Sequence, residues 1–418
     1  MAKSKKIVLV NMPDDHCPRD WRTPDYFKTA TNSTNYMPLG LLSLATNLGP
    51  GHDTVVLDAK RLTIEDTLQR IEQEKPEILG VSANTMRAFA LKEILQKTSA
   101  PYKIVGGAHV FRHAELTLRQ GADAVIVGSL ADLEFKEAVE TLPKGIIYAK
   151  TTYDQINFPD RKLMDYKEYF PKDFVFFKTQ NRLHMLSSIG CPQHCIFCNN
   201  VPAKMQRKSA ESVVDEMQHL YSLGSRSIHF LDDNFNVSEP FLHKVMDEMD
   251  HRNFQVEWSG RGQIIMSDEL AKRLSEHGFK RIHTGIEALD DTILNYFGKN
   301  SSVEKINKFC TTMNKYNIDV LGFFIVGTPV ETDKYLEGLP EKIKALGIKH
   351  PYIQILSPTP DSEYYRGLLN QGVYKTDVWA EHLKNPVPDF QIPYPYSTKR
   401  LEELGKYVDK IEQEYMLK

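Results

Sequence analysis

Short, almost continuously apolar runs alternate with amphipathic stretches along nearly the whole chain, from KKIVLVN (5–11) to PYIQILSP (351–358). A run that is apolar at every position suits a strand buried on both faces, and parallel strands need a crossover helix between them. The alternation therefore predicts parallel α/β architecture and disfavours helical bundles and antiparallel sandwiches. At 418 residues the chain is long enough for two or three domains.

Over residues 1–150 the predicted strands are KKIVLVN (5–11), DTVVLD (53–58), PEILGVS (76–82), YKIVGG (102–107) and ADAVIVG (122–128). Between them LGLLSLATNLG (39–49), TIEDTLQRIEQE (63–74), MRAFALKEILQK (86–97) and AELTLRQGA (114–122) repeat their apolar residues at helical spacing. This is the pattern of a doubly wound, Rossmann-type sheet, which binds ligands beyond the carboxyl ends of its strands, here at Asp58, Ser82, Gly106, Gly107 and Gly128. Residues 151–182 lose periodicity and gain aromatics, proline and lysine, as a connector does. From 183 to 358 six further strands are predicted (183–190, 226–233, 254–260, 279–287, 318–329 and 351–358), each followed by a helix or the tail. That is a partial (β/α)6 barrel, shorter than the eight-unit form. Residues 359–418 read as a C-terminal extension, with the Pro-rich NPVPDFQIPYPY (385–396) before a closing helix at 400–416.

A net charge of −3 and the lack of long basic runs argue against a dedicated nucleic-acid binder. No run approaches the ~18 apolar residues of a membrane span. The start MAKSKKIVLVN has too short an apolar stretch for a signal peptide. Five cysteines are too few for a disulfide framework, which points to a reducing, cytoplasmic setting.

Three of those cysteines fall in SSIGCPQHCIFCNN, where Cys191, Cys195 and Cys198 are spaced C-x3-C-x2-C directly after an apolar strand. A structural zinc site wants four ligands in paired arrangements, and no second Cys/His pair follows nearby, although His194 is close. A fully ligated 4Fe–4S cluster uses four thiolates, and neither Cys17 nor Cys310 is marked as the fourth. Three thiolates would leave one iron open to a small molecule.

The loop resembles the signature of the radical S-adenosylmethionine (SAM) superfamily. The resemblance implies that Cys191, Cys195 and Cys198 ligate a 4Fe–4S cluster, that SAM is cleaved reductively there, and that Phe197 lies beside the adenine. It also implies SAM contacts at the ends of the barrel strands. FLDDNF (230–235) resembles the amine-binding strand, marking Asp232, Asp233 and Asn234, although a solvated helix cap also explains an acid there. Arg261, in EWSGRGQ, would pair with the SAM carboxylate unless it is simply a surface arginine. Glu287 closes a GIE strand end. GFFIVGTPVET (322–332) resembles the adenine-side motif through Gly327, with Glu331 and Thr332 equally explained as a helix start. Gln354 is a further, weaker candidate on the last strand.

A Rossmann domain ahead of such a barrel resembles the cobalamin-binding subgroup of the same superfamily. MPLGLLSLATNLGPGHDTVVLDA (37–59), PEILGVSANT (76–85), IVGGAHV (104–110), INFPDRKLMDY (156–166) and MQRKSAESVVDEM (205–217) carry that resemblance. It implies a cobalamin cradle at Ser82, Ala83, Gly106, Gly107, His109 and Gly128. Gly-Gly turns also simply end strands, and His109 also reads as a hydrogen-bonded turn residue. Two departures stand out: there is no D-x-H-x-x-G to supply a lower cobalt ligand, and Gly128-Ser129-Leu130-Ala131 replaces the subgroup's G-E-G-E.

The resemblance implies a cobalamin-dependent methyltransferase acting on an unactivated carbon. The alternative is a cyclase or rearrangement enzyme, with or without cobalamin. The expected partners are a small-molecule or peptide substrate and an electron donor of the flavodoxin or ferredoxin type. A methylthiotransferase would need three further N-terminal cysteines, and only Cys17 precedes the loop. An iron–sulfur electron carrier would not need an open iron.

Overall fold

A computed structural model describes residues 4–18, 36–170, 181–199 and 205–416. The chain divides into two compact units. Among the described residues, one takes in those up to Glu168 and also Leu369–Pro393, while the other takes in Tyr169–Leu368 and those from Tyr394 onward. The stretch 359–418 is thus shared between the units rather than standing as one extension.

In the first unit six strands form one parallel sheet: β1 (Lys6–Asn11), β2 (Asp53–Asp58), β3 (Ile78–Ser82), β4 (Tyr102–Gly106), β5 (Ala124–Val127) and β6 (Gly145–Tyr148). Their spatial order is β2-β1-β3-β4-β5-β6. Alternate residues face opposite helical layers, which is why the runs are apolar throughout. Val8, Val10, Leu79, Val81, Val105 and Val125 pack with Ile71, Leu91 and Ile94 on one side. Ile7, Leu9, Ile78, Ile104 and Ile126 pack with Leu41, Leu48, Phe135 and Val139 on the other. The chain turns to opposite sides of β1 to form β2 and β3, so the switch point lies between β1 and β3.

The apolar runs of the sequence predict five strands here. β6 is the addition: its four residues, GIIY, are too few to show a period. The third helix also differs, splitting into a 3-10 turn at Thr85–Arg87 and a helix at Ala88–Lys97. The fourth helix begins earlier, at Val110.

The connector as far as Glu168 belongs to the first unit, and residues 171–180 lie outside the described residues. Asn157 N–H donates to Asn47 Oδ1 at 2.8 Å, Asp160 N–H donates to Thr46 Oγ1 at 2.9 Å, and Arg161 is completely buried. Short 3-10 turns at Tyr153–Gln155 and Arg161–Leu163 explain its lack of periodicity. From the C-terminal part, Leu383 O accepts from Gln120 Nε2 at 3.0 Å and Asn385 Oδ1 accepts from Lys92 Nζ at 2.9 Å. Trp379 is buried there.

The second unit is built on β7 (Arg182–Met185), β10 (Ser227–Phe230), β11 (Glu257–Gly262), β12 (Phe279–Glu287), β13 (Asp319–Val326) and β14 (His350–Ile355). All are parallel and lie side by side in chain order, the winding of a partial barrel. The predicted first strand, 183–190, is two pieces. β7 ends at Met185, and Ser188–Ile189 (β8) leaves the sheet to pair antiparallel with Gln206–Arg207 (β9). The closing helix runs Thr398–Met416. Among the described residues no helix is long and apolar enough to cross a membrane.

Candidate functional site

The cysteine loop leaves the second unit's sheet through the β8–β9 ladder, and buried carboxylates hold its base. Asp232, fully buried, accepts from Ser187 N–H at 2.8 Å and from the hydroxyls of Ser187 and Ser188 at 2.5 Å. Asp233 Oδ2 accepts from Gly190 N–H at 3.0 Å, and Lys208 N–H donates back to Ser187 O at 2.9 Å. A buried carboxylate is tolerated when it is multiply hydrogen-bonded. Here those bonds go to the residues that lead into Cys191. Burial nonetheless pushes the Asp232 carboxyl up, with the serine hydrogen bonds opposing it. Lys208 and Glu216 form a further ion pair with both side chains buried.

The far side of the loop is docked as well. Ile196 N–H donates to Phe297 O at 3.1 Å, and Ile196 O accepts from Tyr364 N–H at 2.8 Å. The Phe197 ring stands edge-on to Phe297 with centroids 5.1 Å apart. Cys191 and Cys195 are half-buried and Cys198 is exposed. Burial pushes the Cys195 thiol up; Lys299 acts against this, while Glu287, Cys198 and Cys191 add to it. The three thiols and the Glu287–Lys299 pair therefore share one electrostatic neighbourhood. Among the described residues no three His, Cys, Asp or Glu side chains converge on a single-ion site. A cluster that gives each thiolate its own iron does not require such convergence, so the donor set suits an iron–sulfur cluster.

The other predicted SAM contacts differ in placement. Asn234 is buried, and its Oδ1 meets no hydrogen-bond partner among the described residues; Thr328 Oγ1, just past Gly327, is in the same state. Such orphaned polar atoms at strand ends fit a polar ligand. Glu287, 8% exposed at the side chain, holds Lys299 Nζ at 2.8 Å. Gly327 is engaged by its own unit: its N–H donates to Glu331 Oε2 at 2.8 Å, and its C=O accepts from the Tyr396 hydroxyl. Its φ of 88° and the contact with Tyr396 explain the glycine. Thr332 caps the next helix through Tyr335 N–H. Gln354 is exposed, with Nε2 3.3 Å from the Tyr352 hydroxyl.

Arg261 acts electrostatically on a group of buried imidazoles. His229 lies 4.5 Å from His283 and 6.0 Å from His184, ring to ring, with its Nδ1 2.8 Å from Ser259 Oγ. Burial first, then neighbouring positive groups, hold His229 and His283 well below the usual histidine range.

At the first unit's switch point, strand register aligns Asp58, Asn11, Ser82 and Gly106 in one row. Asn11 Nδ2 donates to Asp58 Oδ1 at 2.7 Å, and Arg87 Nε donates to Asp14 Oδ1 at 2.8 Å. Gly106 has open space beside it: an added Cβ would meet only Ile126 O, at 3.8 Å. Small residues ending adjacent strands fit a broad, flat ligand. Gly107 and Gly128 have structural grounds of their own. A Cβ on Gly107 (φ 95°) would lie 2.6 Å from Ala83 O, and one on Gly128 would lie 2.3 Å from Ala149 Cβ. Ala83 is buried, its N–H bonded to Gly106 O at 2.8 Å. His109 is buried, with Nδ1 3.3 Å from Thr85 Oγ1 and its ring 4.8 Å from that of His113.

Lys299, the Lys208–Glu216 pair, Tyr396, Asn11 and Arg87 escaped the sequence reading. Lys208 and Glu216 lie within MQRKSAESVVDEM, and Asn11 and Arg87 within predicted elements, but nothing local marks their roles, because each acts through a partner eight or more positions away.

Residues 185–343 match the family model described as Radical SAM superfamily, and residues 29–134 match the B12 binding domain. The chain is 27% identical to an uncharacterised methyltransferase of Pyrococcus horikoshii, over 91% of this chain and 86% of that one. It is 25% identical to bacteriochlorophyllide d C-12(1)-methyltransferase of Chlorobaculum tepidum, over 80% and 74%. In fold it is similar to the radical S-adenosylmethionine methyltransferase TsrM of Kitasatospora setae, solved with cobalamin and a [4Fe-4S] cluster. The TM-score is 0.63 at 16% identity, covering 88% of this chain and 75% of that one.

Proposed function

Because this chain belongs to the radical SAM superfamily, in the group that carries a B12-binding domain, we propose that it is a cobalamin-dependent methyltransferase acting on an unactivated carbon. The observation that carries the reading is the clamped loop presenting Cys191, Cys195 and Cys198 beside the ends of a parallel half-barrel. Of the other cysteines, Cys310 is buried in the helix Val303–Lys315 and Cys17 lies in the first unit. The methyltransferase names of the Pyrococcus and Chlorobaculum relatives support methyl transfer over cyclisation.

When bound, the cluster supplies the electron that breaks the SAM sulfonium bond, and cobalamin carries the methyl group. The three cysteines hold the cluster, with Phe197 beside the adenine. Asn234, Thr328 and Arg261 take the polar groups of SAM. Asp232 and Asp233 serve by holding the loop. Gly327 serves by shaping the β13 exit. In the first unit Ser82 and Gly106 face the corrin side, while Ala83, Gly107, Gly128 and His109 shape the turns behind them. The electron comes from a donor of the flavodoxin or ferredoxin type, and the substrate is a small molecule or peptide.

The test is product analysis of anaerobically reconstituted protein with SAM and a reductant, with and without hydroxocobalamin. Cobalamin-dependent S-adenosylhomocysteine together with 5′-deoxyadenosine is expected. Deoxyadenosine without S-adenosylhomocysteine under both conditions would contradict methyl transfer.

A further inference from the structure

Lys299 carries a half-buried positive charge into the neighbourhood of two cysteines. Its side chain is 18% exposed, and its ammonium is 2.8 Å from Glu287 Oε1. Beyond Glu287, the ammonium lies within electrostatic reach of Cys195 and Cys191. The turn that delivers it is pressed against the loop: Phe297 O binds Ile196 N–H, and a Cβ on Gly298 would lie 3.4 Å from His194 O.

The chain bends to build this pair. Glu287 has a φ of 64°, a left-handed conformation that costs a non-glycine residue free energy and persists where surroundings enforce it. The β12–β13 register shifts at the same place, between Gly285 and Glu287. Gly285 supplies the room: a Cβ there would lie 2.0 Å from Glu287 Oε1 and 2.9 Å from Lys299 Nζ. A bulge, a left-handed glutamate and a vacated side-chain position all serve one ion pair. A buried pair is poor evidence for stability, since removing two charges from water offsets their attraction. A functional reason is therefore the better account of it.

We propose that Lys299 is a positioning residue that tunes the electron affinity of the cluster held by Cys191, Cys195 and Cys198, with Glu287 acting as its holder. Reduction adds one electron, supplied by a flavodoxin- or ferredoxin-type donor, to a site already surrounded by thiolates. A fixed ammonium within electrostatic reach of two of them stabilises the more negative state. The carboxylate on its far side moderates the effect. This assignment presupposes the three-thiolate cluster proposed above.

The two charges make opposite predictions, which a merely structural role would not. Full-length wild type, Lys299→Met, Lys299→Arg and Glu287→Gln are reconstituted anaerobically with iron and sulfide. They are matched for iron and sulfide content and titrated without SAM, following the reduced signal by electron paramagnetic resonance. Lys299→Met is expected to shift the midpoint negatively, with a tenfold smaller ratio of reduced to oxidised cluster at fixed potential, ~59 mV for a one-electron couple. Lys299→Arg is expected to restore the wild-type value, and Glu287→Gln to shift it positively. Equal midpoints in all four proteins, or shifts of the same sign in Lys299→Met and Glu287→Gln, would overturn the assignment and leave the cluster reading standing. If Lys299→Met takes up no iron, the sign of the Glu287→Gln shift decides. A wild type that assembles no cluster would overturn both.

Discussion

Asp233 accepts the backbone N–H of Gly190 at 3.0 Å, and Gly190 is the residue before Cys191. The adjacent Asp232 takes three more hydrogen bonds from Ser187 and Ser188. Together the two acids fix where the cysteine loop leaves the sheet. Asp232→Ala strands those buried donors and removes the counter-charge that acts on Lys208. Its expected cost is about 3–5 kcal/mol in urea unfolding, with reduced iron uptake. A cost below about 1 kcal/mol would show that the acids do not support the loop.

The Lys208–Glu216 pair gives a second test of the same base. Lys208→Met alone leaves a carboxylate with no exposed side-chain surface beside an apolar neighbour. It is expected to destabilise by about 3–5 kcal/mol, and Lys208→Met with Glu216→Leu to recover most of that loss. Chemical denaturation of both variants provides the check. Equal stability of single and double variants would argue that the pair is not electrostatically coupled to the fold.

Two adjacent glycines separate ligand binding from folding in the first unit. Gly106→Ala places its methyl in open space, so folding is expected to change by under about 0.5 kcal/mol while cobalamin affinity falls. Gly107→Ala meets Ala83 O and keeps a positive φ, so it is expected to destabilise by about 1–3 kcal/mol. Cobalamin co-elution on gel filtration and thermal unfolding measure the two effects. An unaltered cobalamin affinity in Gly106→Ala would remove that strand end from the cradle.

Much of this architecture was readable because parallel strands buried on both faces leave continuous apolar runs, and because three cysteines at fixed spacing form a local motif. β6 was missed because GIIY is too short to show a period. Asp232 shows the deeper limit. A carboxylate after a strand serves equally well as a ligand contact or as a clamp, and its bonds to Ser187 and Ser188 span more than forty residues. Lys299 was illegible for a similar reason. Its partner is twelve positions away across a helix, and the glycine that admits the pair looks like any other strand residue.

The buried imidazoles are expected to make the fold acid-sensitive. Burial holds His229 and His283 well below 6.5 and His350 at about 4, so near neutrality the native state keeps them uncharged. Below the unfolded value of about 6.5 the unfolded chain binds protons that the native state refuses. Stability is then lost as pH falls, at up to about 1.4 kcal/mol per pH unit for each such group. Urea unfolding between pH 7.5 and 5 checks this, with His283→Gln expected to flatten the slope. A slope unaffected by the substitution would place the acid sensitivity elsewhere.

The proposed chemistry requires a cluster held by three protein thiolates. Mössbauer spectroscopy of anaerobically reconstituted, iron-57-enriched protein, before and after adding SAM, tests this most directly. One iron subsite of each cluster is expected to shift when SAM binds, and Cys195→Ala is expected to lose the cluster while the first unit stays folded. Four iron sites unchanged by SAM, or a protein that holds a single zinc ion in place of iron and sulfide, would contradict it.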